Sequence, residues 1–241
     1  EEKSFIADGT NINNNHIYIK YPQKFSDNPE NFLNIFYDSY KAKIPLHPSS
    51  YRLIFNKIDD INLNASLSKQ GKNRFIDILL SDSHDETLNT MNDLGVLAKI
   101  IPEFANIIAQ SQFDLYHVFT VDQHILRALA LLKKMNSKDH QPKHFAHSKL
   151  IVQKIKNHKP LYFSVLLHDI GKGLGGNHQK KGKNIAGKIS KYFNLKNSEI
   201  KNITWLVENH LLFSKYAFSK DLEDSSVIKS FIQKVDTVEK L

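Results

Sequence analysis

Apolar residues follow two patterns along the chain. A short apolar run, Ile17-Tyr18-Ile19, comes after a turn-rich stretch that begins at Asp8-Gly9, which predicts a β-hairpin over residues 5–21. From residue 27 onward, apolar residues recur at helical spacing. This second pattern predicts helices over residues 28–40, 49–59, 73–80, 86–97, 121–135, 145–156, 160–170, 177–193, 198–212 and 225–241.

Residues that commonly begin or end helices support several of these boundaries. Gly95 is expected to stop the helix that contains Met91. Thr120 and Gln123 have the spacing of a capping box ahead of the apolar run that starts at Val121. Asn177 is a candidate N-cap for the helix that follows it.

These elements predict a mainly α protein with a small amino-terminal β-hairpin. We expect residues 1–112 to form the hairpin and a connecting region of short helices, and residues 113–241 to form a helical bundle. With 41% hydrophobic residues, the 241-residue chain can bury one or two cores. The chain ends within a helical pattern, so we expect it to be part of something longer.

Composition excludes several kinds of site. The chain has no Cys, so it contains neither a disulfide framework nor a thiolate metal site. The first residues do not have the basic-then-apolar pattern of a signal segment, and the longest apolar run, residues 161–167, is far shorter than the ~18 residues of a membrane span. We therefore expect a cytoplasmic protein without a membrane partner.

The formal net charge of +8 favours acidic partners such as nucleotides, phosphorylated proteins or nucleic acid. The lysines are spread widely, however, as on an ordinary solvated surface. No aromatic-interleaved basic stripe accompanies them, so the sequence disfavours a nucleic-acid-binding domain.

The motif with the clearest chemistry is Leu166-Leu167-His168-Asp169-Ile170-Gly171-Lys172-Gly173. An apolar helix that ends in a His-Asp pair would bury a carboxylate beside an imidazole, which is costly unless a cation compensates. Lys172 follows one turn later, where its ammonium could meet a phosphate. The plainer interpretation is that His168 caps the helix and Asp169 is exposed.

Three further histidines are candidate ligands. His124 lies in the first turn of its helix, His178 follows a Gly-rich loop, and His210 shares an inward face with Ile203 and Val207. Each of the three also has a purely structural interpretation. His124 could pack on Phe119, His178 could simply begin its helix, and His210 could be a hydrogen-bonded core histidine. Together, the histidines and Asp169 suit manganese, magnesium or iron better than a structural zinc.

A divalent ion among such residues would acidify water, and Lys172 or a second ion would neutralise a phosphoryl oxygen. This combination predicts hydrolysis of a phosphate ester or phosphodiester. The chain has no Gly-x-Ser-x-Gly elbow, P-loop or Rossmann fingerprint, which removes the commonest competing enzyme classes.

The His…His-Asp pattern resembles the HD phosphohydrolase superfamily. Within it, the chain is similar to the bacterial family of PII uridylyltransferase/uridylyl-removing enzymes. The segments that carry this resemblance are residues 91–97, 101–104, 113–124, 167–173 and 209–214.

The resemblance implies a helical HD-domain bundle with His124, His168 and Asp169 as metal ligands. His178 and His210 would complete a second-metal or phosphate-contacting side. Lys172 would hold the phosphate, with Asp169 and Lys172 as the catalytic pair, and Mn²⁺ or Mg²⁺ as the cofactor. The implied reaction is removal of UMP from a uridylylated tyrosine of the PII nitrogen-regulatory protein. The full-length enzymes also carry a uridylyltransferase domain, so the resemblance implies that this chain is a central fragment of such an enzyme.

Two positions depart from the family pattern. Asn177 stands where the family usually has an acidic residue. The superfamily's last metal-binding Asp is expected beyond Leu241, and Asp221, Asp224 and Asp236 do not match its position. The HD domain is therefore expected to be truncated at its carboxyl end. These departures leave open a degenerate HD module with a regulatory or scaffolding role. The role of His117 is also left open.

Overall fold

A computed structural model describes residues 5–81, 86–111, 119–137 and 145–241. The chain divides into two compact units: an amino-terminal unit, Glu1–Ala105, and a carboxy-terminal unit, Asn106–Leu241. The boundary predicted between residues 112 and 113 lies outside the described residues, as do His117 and part of the 113–124 motif.

The amino-terminal unit begins with the predicted hairpin. Strand β1 (Thr10–Asn13) pairs antiparallel with β2 (His16–Ile19), and Asn13 lies opposite His16. The two-residue turn consists of Asn14 and Asn15, both in the left-handed region with φ of 47° and 57°. Asn tolerates this conformation better than other side chains, and it matches the twist of the paired strands.

Short helices form the rest of this unit. Its core contains several fully buried phenylalanines, among them Phe25, Phe32 and Phe75. Gly95, with φ of 77°, separates the last two helices, so the predicted helix over residues 86–97 is in fact two short ones. The helices are α1 (Pro22–Ser26), α2 (Asn31–Ala42), α3 (Pro48–Lys57), α4 (Leu63–Ser66), α5 (Lys69–Leu79), α6 (Thr87–Asp93) and α7 (Val96–Ile100), with 3₁₀ turns at Ile58–Asp60 and Pro102–Ile107.

Among the described residues of the carboxy-terminal unit, all regular secondary structure is helical. Its helices are α8 (Val121–Asn136), α9 (Ala146–Lys154), α10 (Lys159–Leu167), α11 (His178–Tyr192), α12 (Asn197–Asn209), α13 (Leu212–Ser219) and α14 (Ser225–Lys234). Helix α10 contacts α8, α11 and α12. It is apolar around most of its circumference, which is the pattern of a central helix.

Several predicted boundaries were wrong in detail. The helix predicted over residues 160–170 ends at Leu167, and a 3₁₀ turn, Lys172–Leu174, follows. The Thr120 side chain accepts no capping hydrogen bond, so the predicted capping box is not formed. Asn177 does occupy the N-cap position of α11, but in a left-handed conformation and without a side-chain cap. Helix α13 was not predicted.

The fold class agrees with the sequence prediction: a mainly α protein with a two-stranded hairpin at its start. Among the described residues, no helix is both long and apolar enough to cross a membrane.

Candidate metal centre

The centre forms where α10 ends. Leu166 and Leu167 are fully buried, and the turn that follows them places Asp169 at 2% exposure. The buried helix therefore carries a carboxylate into the interior, and a carboxylate there requires compensation by positive charge or hydrogen bonds.

Positive and potentially positive groups surround Asp169. Its Oδ2 lies 2.8 Å from Lys172 Nζ and 3.2 Å from His168 Nε2. His124 Nε2 lies 3.8 Å from the same oxygen. His210 Nε2 lies 3.6 Å from the other oxygen, Oδ1. The predicted cluster is thus assembled around one carboxylate, and the alternative of an exposed Asp169 was wrong.

Two glycines allow α11 to approach the Asp169 turn closely. A Cβ on Gly171 would lie 2.3 Å from the His178 carbonyl oxygen and 2.7 Å from the Gly182 nitrogen. A Cβ on Gly171 would therefore force the turn and the first turns of α11 apart. This contact sets His178, the first residue of α11, beside Asp169 and His210.

A segment ahead of α8 braces the same turn. A Cβ on Gly173 would lie 2.4 Å from the Asn106 carbonyl oxygen. The Gln110 side-chain amide donates to the Lys172 carbonyl oxygen at 3.4 Å, and the Gln110 carbonyl accepts the Val121 N–H at 3.0 Å. Buried Asp122 accepts the Ala109 N–H at 3.2 Å. This bracing was not foreseen from sequence, because the partners of Gln110 and Asp122 are set by tertiary contacts that local spacing does not reveal.

Backbone carbonyls orient two of the imidazoles. His168 Nδ1 lies 2.8 Å from the Val165 carbonyl oxygen, and His210 Nδ1 lies 2.8 Å from that of Val207. In both rings Nδ1 then donates a proton to the carbonyl, and Nε2 is the nitrogen that faces the cluster, where it can bind a metal once it carries no proton. The Nε2 atoms of His124 and His168 are 3.2 Å apart. This is the arrangement that metal-binding histidines adopt.

The electrostatics of the centre keep Asp169 ionised and two histidines neutral. Burial raises the pKa of Asp169, but hydrogen bonds and positive charge from His168 and Lys172 outweigh it and hold that pKa far below its usual range. Burial lowers the pKa of His178 and of His210 against the opposing charge of Asp169. An ionised carboxylate beside neutral imidazoles is the protonation state a cation requires.

Comparison with known proteins agrees with this geometry. The family model of the HD domain matches residues 121–240, and that of the third domain of uridylyltransferase GlnD matches residues 11–100. The chain is 34% identical to the bifunctional uridylyltransferase/uridylyl-removing enzyme of Azospirillum brasilense over 98% of its own length. It is 33% identical to that of Rhodopseudomonas palustris (strain ATCC BAA-98 / CGA009) over 95%. This chain belongs to the GlnD family. It spans 25% of the length of either relative.

The GlnD-family centre forms two overlapping groups of possible ligands that share Asp169. His124 and His168 form one group with it, and His178 and His210 form the other; within each, the ligand atoms lie within 4.8 Å of one another. Among the described residues, Asp169 Oδ1 and His178 Nε2 are buried without any hydrogen-bond partner. Buried polar atoms are rarely left unpaired, so these two atoms fit a cation.

All six predicted site residues of this GlnD-family chain are brought together. The five candidate ligands make up the two groups, and Lys172 is paired with Asp169. The three carboxylates excluded by sequence lie elsewhere: Asp224 caps α14, Asp236 pairs with Lys240 at 2.7 Å, and Asp221 accepts the Glu223 N–H. Exposed Asn177 stands next to the cluster at the start of α11.

Proposed function

We propose that the carboxy-terminal unit is a metal-dependent phosphodiesterase that removes UMP from a uridylylated tyrosine of the PII nitrogen-regulatory protein. The names of both relatives include a uridylyl-removing activity, and the HD domain covers the residues that form the cluster. A cytoplasmic location belongs to the same proposal.

In this proposal, His124, His168, Asp169, His178 and His210 hold Mn²⁺ or Mg²⁺. This proposal is supported above all by the Asp169 carboxylate, which four imidazoles surround and whose Oδ1 is buried without a hydrogen bond to any described residue. Oxygen and imidazole ligands without thiolate suit these metals. When bound, a divalent ion would lower the pKa of a coordinated water and neutralise negative charge on the phosphoryl oxygens.

The protein groups orient the substrate. Lys172 Nζ already lies within hydrogen-bond distance of the cluster and can pair with a phosphoryl oxygen. The His124 side chain is 38% exposed, against 14% for His168 and for His210, so the phosphodiester approaches from the His124 side. Asp169 stays ionised and fixes Lys172 and His168 in place.

The reaction balances without a covalent enzyme intermediate. The oxygen of water forms the new bond to phosphorus, and the bond between phosphorus and the tyrosine oxygen breaks. One water proton ends on the tyrosine hydroxyl, and the nucleotide leaves as UMP. Tyrosine is an adequate leaving group because its hydroxyl has an ordinary pKa of about 10.

The test combines metal analysis with product release. Purified protein is loaded with Mn²⁺, its metal content is measured, and UMP release from uridylylated PII is followed by chromatography. His168→Ala and Asp169→Ala are expected to lose both bound metal and UMP release. Asp221→Asn, which removes an exposed carboxylate outside the cluster, is the matched control and should retain both.

Bound manganese and UMP release together distinguish an active hydrolase from the alternative, a degenerate HD domain that does not hydrolyse the phosphodiester. Bound manganese without UMP release would contradict the hydrolase and favour a scaffolding or regulatory HD domain. Unchanged manganese in both alanine variants would contradict the ligand assignment itself.

A further inference from the structure

A polar cavity lies between α13 and α14, and its lining residues include none of the Asp169 cluster. Its volume is about 410 Å³. Lys215, Tyr216 and Lys220 line it from the α13 side, and Ser226, Ser230 and Lys234 line it from α14. A volume of this size is within the range of small-molecule sites in proteins.

The floor of the cavity is built by packing between the two helices. The Tyr216 ring contacts the Phe231 ring, with centroids 5.2 Å apart. The Tyr216 hydroxyl is hydrogen-bonded to Ser230 Oγ at 2.8 Å. Tyr216 is 8% exposed, so this hydroxyl pair is fixed in place rather than free in solvent.

The charged residues that line the cavity are all lysines. Three lysines and no carboxylate appear among its lining residues, all of which belong to the described part of the chain. Lys234 lies over the Tyr216 ring, 5.5 Å from its centroid. Nearby Asp224 is engaged as the N-cap of α14, where it accepts the Ser226 N–H at 2.7 Å.

The lysines also affect the pKa of the Tyr216 hydroxyl. The hydrogen bond with Ser230 lowers the pKa of Tyr216, and the positive charges of Lys234 and Lys220 lower it further. Several lysines that line one cavity create a positive potential there, which favours the binding of an anion.

We propose that this cavity binds a nucleoside monophosphate. The lysines and the Tyr216–Ser230 hydroxyl pair provide charge-assisted and neutral hydrogen bonds for a phosphate. Leu212 and Val227 add an apolar wall against which a flat base can lie. The volume exceeds what inorganic phosphate alone would fill. The proposal does not depend on hydrolysis at Asp169.

Binding can be measured by NMR titration of the ¹⁵N-labelled chain with UMP in EDTA at constant ionic strength. We expect shifts in the backbone amides of α13 and α14, with a dissociation constant at least about tenfold lower than that of uridine or inorganic phosphate. The same titration of Asp169→Ala should give unchanged shifts, which distinguishes this cavity from the Asp169 cluster.

Variants test the assignment of the lining residues. Lys220→Gln and Lys234→Gln should each weaken UMP binding about tenfold, as expected for one charge-assisted contact. Tyr216→Phe keeps the ring against Phe231, removes the hydroxyl and should weaken binding severalfold. Lys229→Gln is the matched control, because this exposed lysine lies on α14 but does not line the cavity.

Three outcomes would overturn the proposal. They are the absence of shifts in α13 and α14 at millimolar UMP, equal affinity for uridine or inorganic phosphate, and equal weakening by Lys229→Gln and Lys234→Gln. Folding of each variant is checked by comparing its remaining amide spectrum with that of the wild type.

Discussion

At the residue scale, Lys172 and Asp169 have opposite expected roles toward a metal. Asp169 provides negative charge to the centre, whereas the Lys172 ammonium lies 2.8 Å from Asp169 Oδ2 and competes with any cation for that oxygen. Removing the ammonium reduces repulsion of a bound cation but also removes the group proposed to hold the phosphate.

Lys172→Gln is therefore expected to separate metal binding from turnover. Manganese affinity should stay the same or rise, while UMP release falls by about 10²-fold because one charge-stabilising donor is lost. Manganese titration followed by EPR and a UMP-release assay check this. Lys180→Gln, an exposed lysine on α11, is the control for a general charge effect. Weaker manganese binding in Lys172→Gln would show that Lys172 is instead needed to build the site.

Gly173 offers a second prediction at this scale. A methyl group there meets the Asn106 backbone at 2.4 Å, so Gly173→Ala should displace the turn that carries Lys172 and destabilise the protein by about 1–3 kcal/mol. Gly176→Ala is the matched control, because a Cβ at that residue would meet nothing within 4 Å and its φ is not left-handed. Chemical denaturation measures both. Equal stability of the two variants would contradict the proposed bracing by residue 106.

At the scale of elements, the start of α12 is tied to the start of α10 through Glu199. Its carboxylate accepts the Lys196 N–H at 2.9 Å and the Asn157 side-chain amide at 3.0 Å. Burial raises the pKa of Glu199, but these hydrogen bonds and the nearby charge of Lys159 outweigh it, and the net pKa is lowered. Since α12 carries His210 at its end, this contact helps to place one side of the cluster.

Because the folded pKa is lowered, the ionised Glu199 stabilises the fold above the unfolded-state pKa. That contribution is lost as the pH falls through the folded-state value. Glu199→Gln should thus cost about 1 kcal/mol at pH 7, and the difference from wild type should disappear in acid. Thermal melts from pH 7 downward test this, with Glu223→Gln as an exposed control. A difference that persists below the folded pKa would point to lost packing instead.

The helical spacing of apolar residues predicted most of the helices. It could not predict helix ends, short helices or side-chain contacts that depend on tertiary structure. Helix α13 was missed because its short sequence follows a predicted helix without a clear start signal. The end of α10 at Leu167 was missed because apolar residues continue to Ile170. The six site residues were found from their types and motif spacing. Gln110 and Asp122 were not, since their partners lie in the turn at residue 172 and in the segment before α8.

At the scale of the whole molecule, the chain divides into two compact units, and every proposed ligand belongs to the carboxy-terminal unit. A ligand that binds only the folded state stabilises it by about 2.7 kcal/mol at one hundred times its dissociation constant. Manganese is therefore expected to protect one unit selectively.

Hydrogen–deuterium exchange measures this directly. Saturating Mn²⁺ should slow exchange in the amides of α8, α10, α11 and α12 and leave those of α2 and α5 unchanged. Asp169→Asn should abolish the protection. Uniform slowing across both units, or protection that survives in Asp169→Asn, would contradict a centre built on this carboxylate.

The close approach at Gly171 has a consequence for how the centre can be taken apart. His124 and His168 come from α8 and the end of α10, whereas His178 and His210 come from α11 and the end of α12. A single methyl group at residue 171 would strike the His178 carbonyl oxygen at the start of α11. Gly171→Ala is therefore expected to move His178 away from Asp169 while His124 and His168 keep their places beside this carboxylate, which would separate the contribution of one imidazole from that of the others.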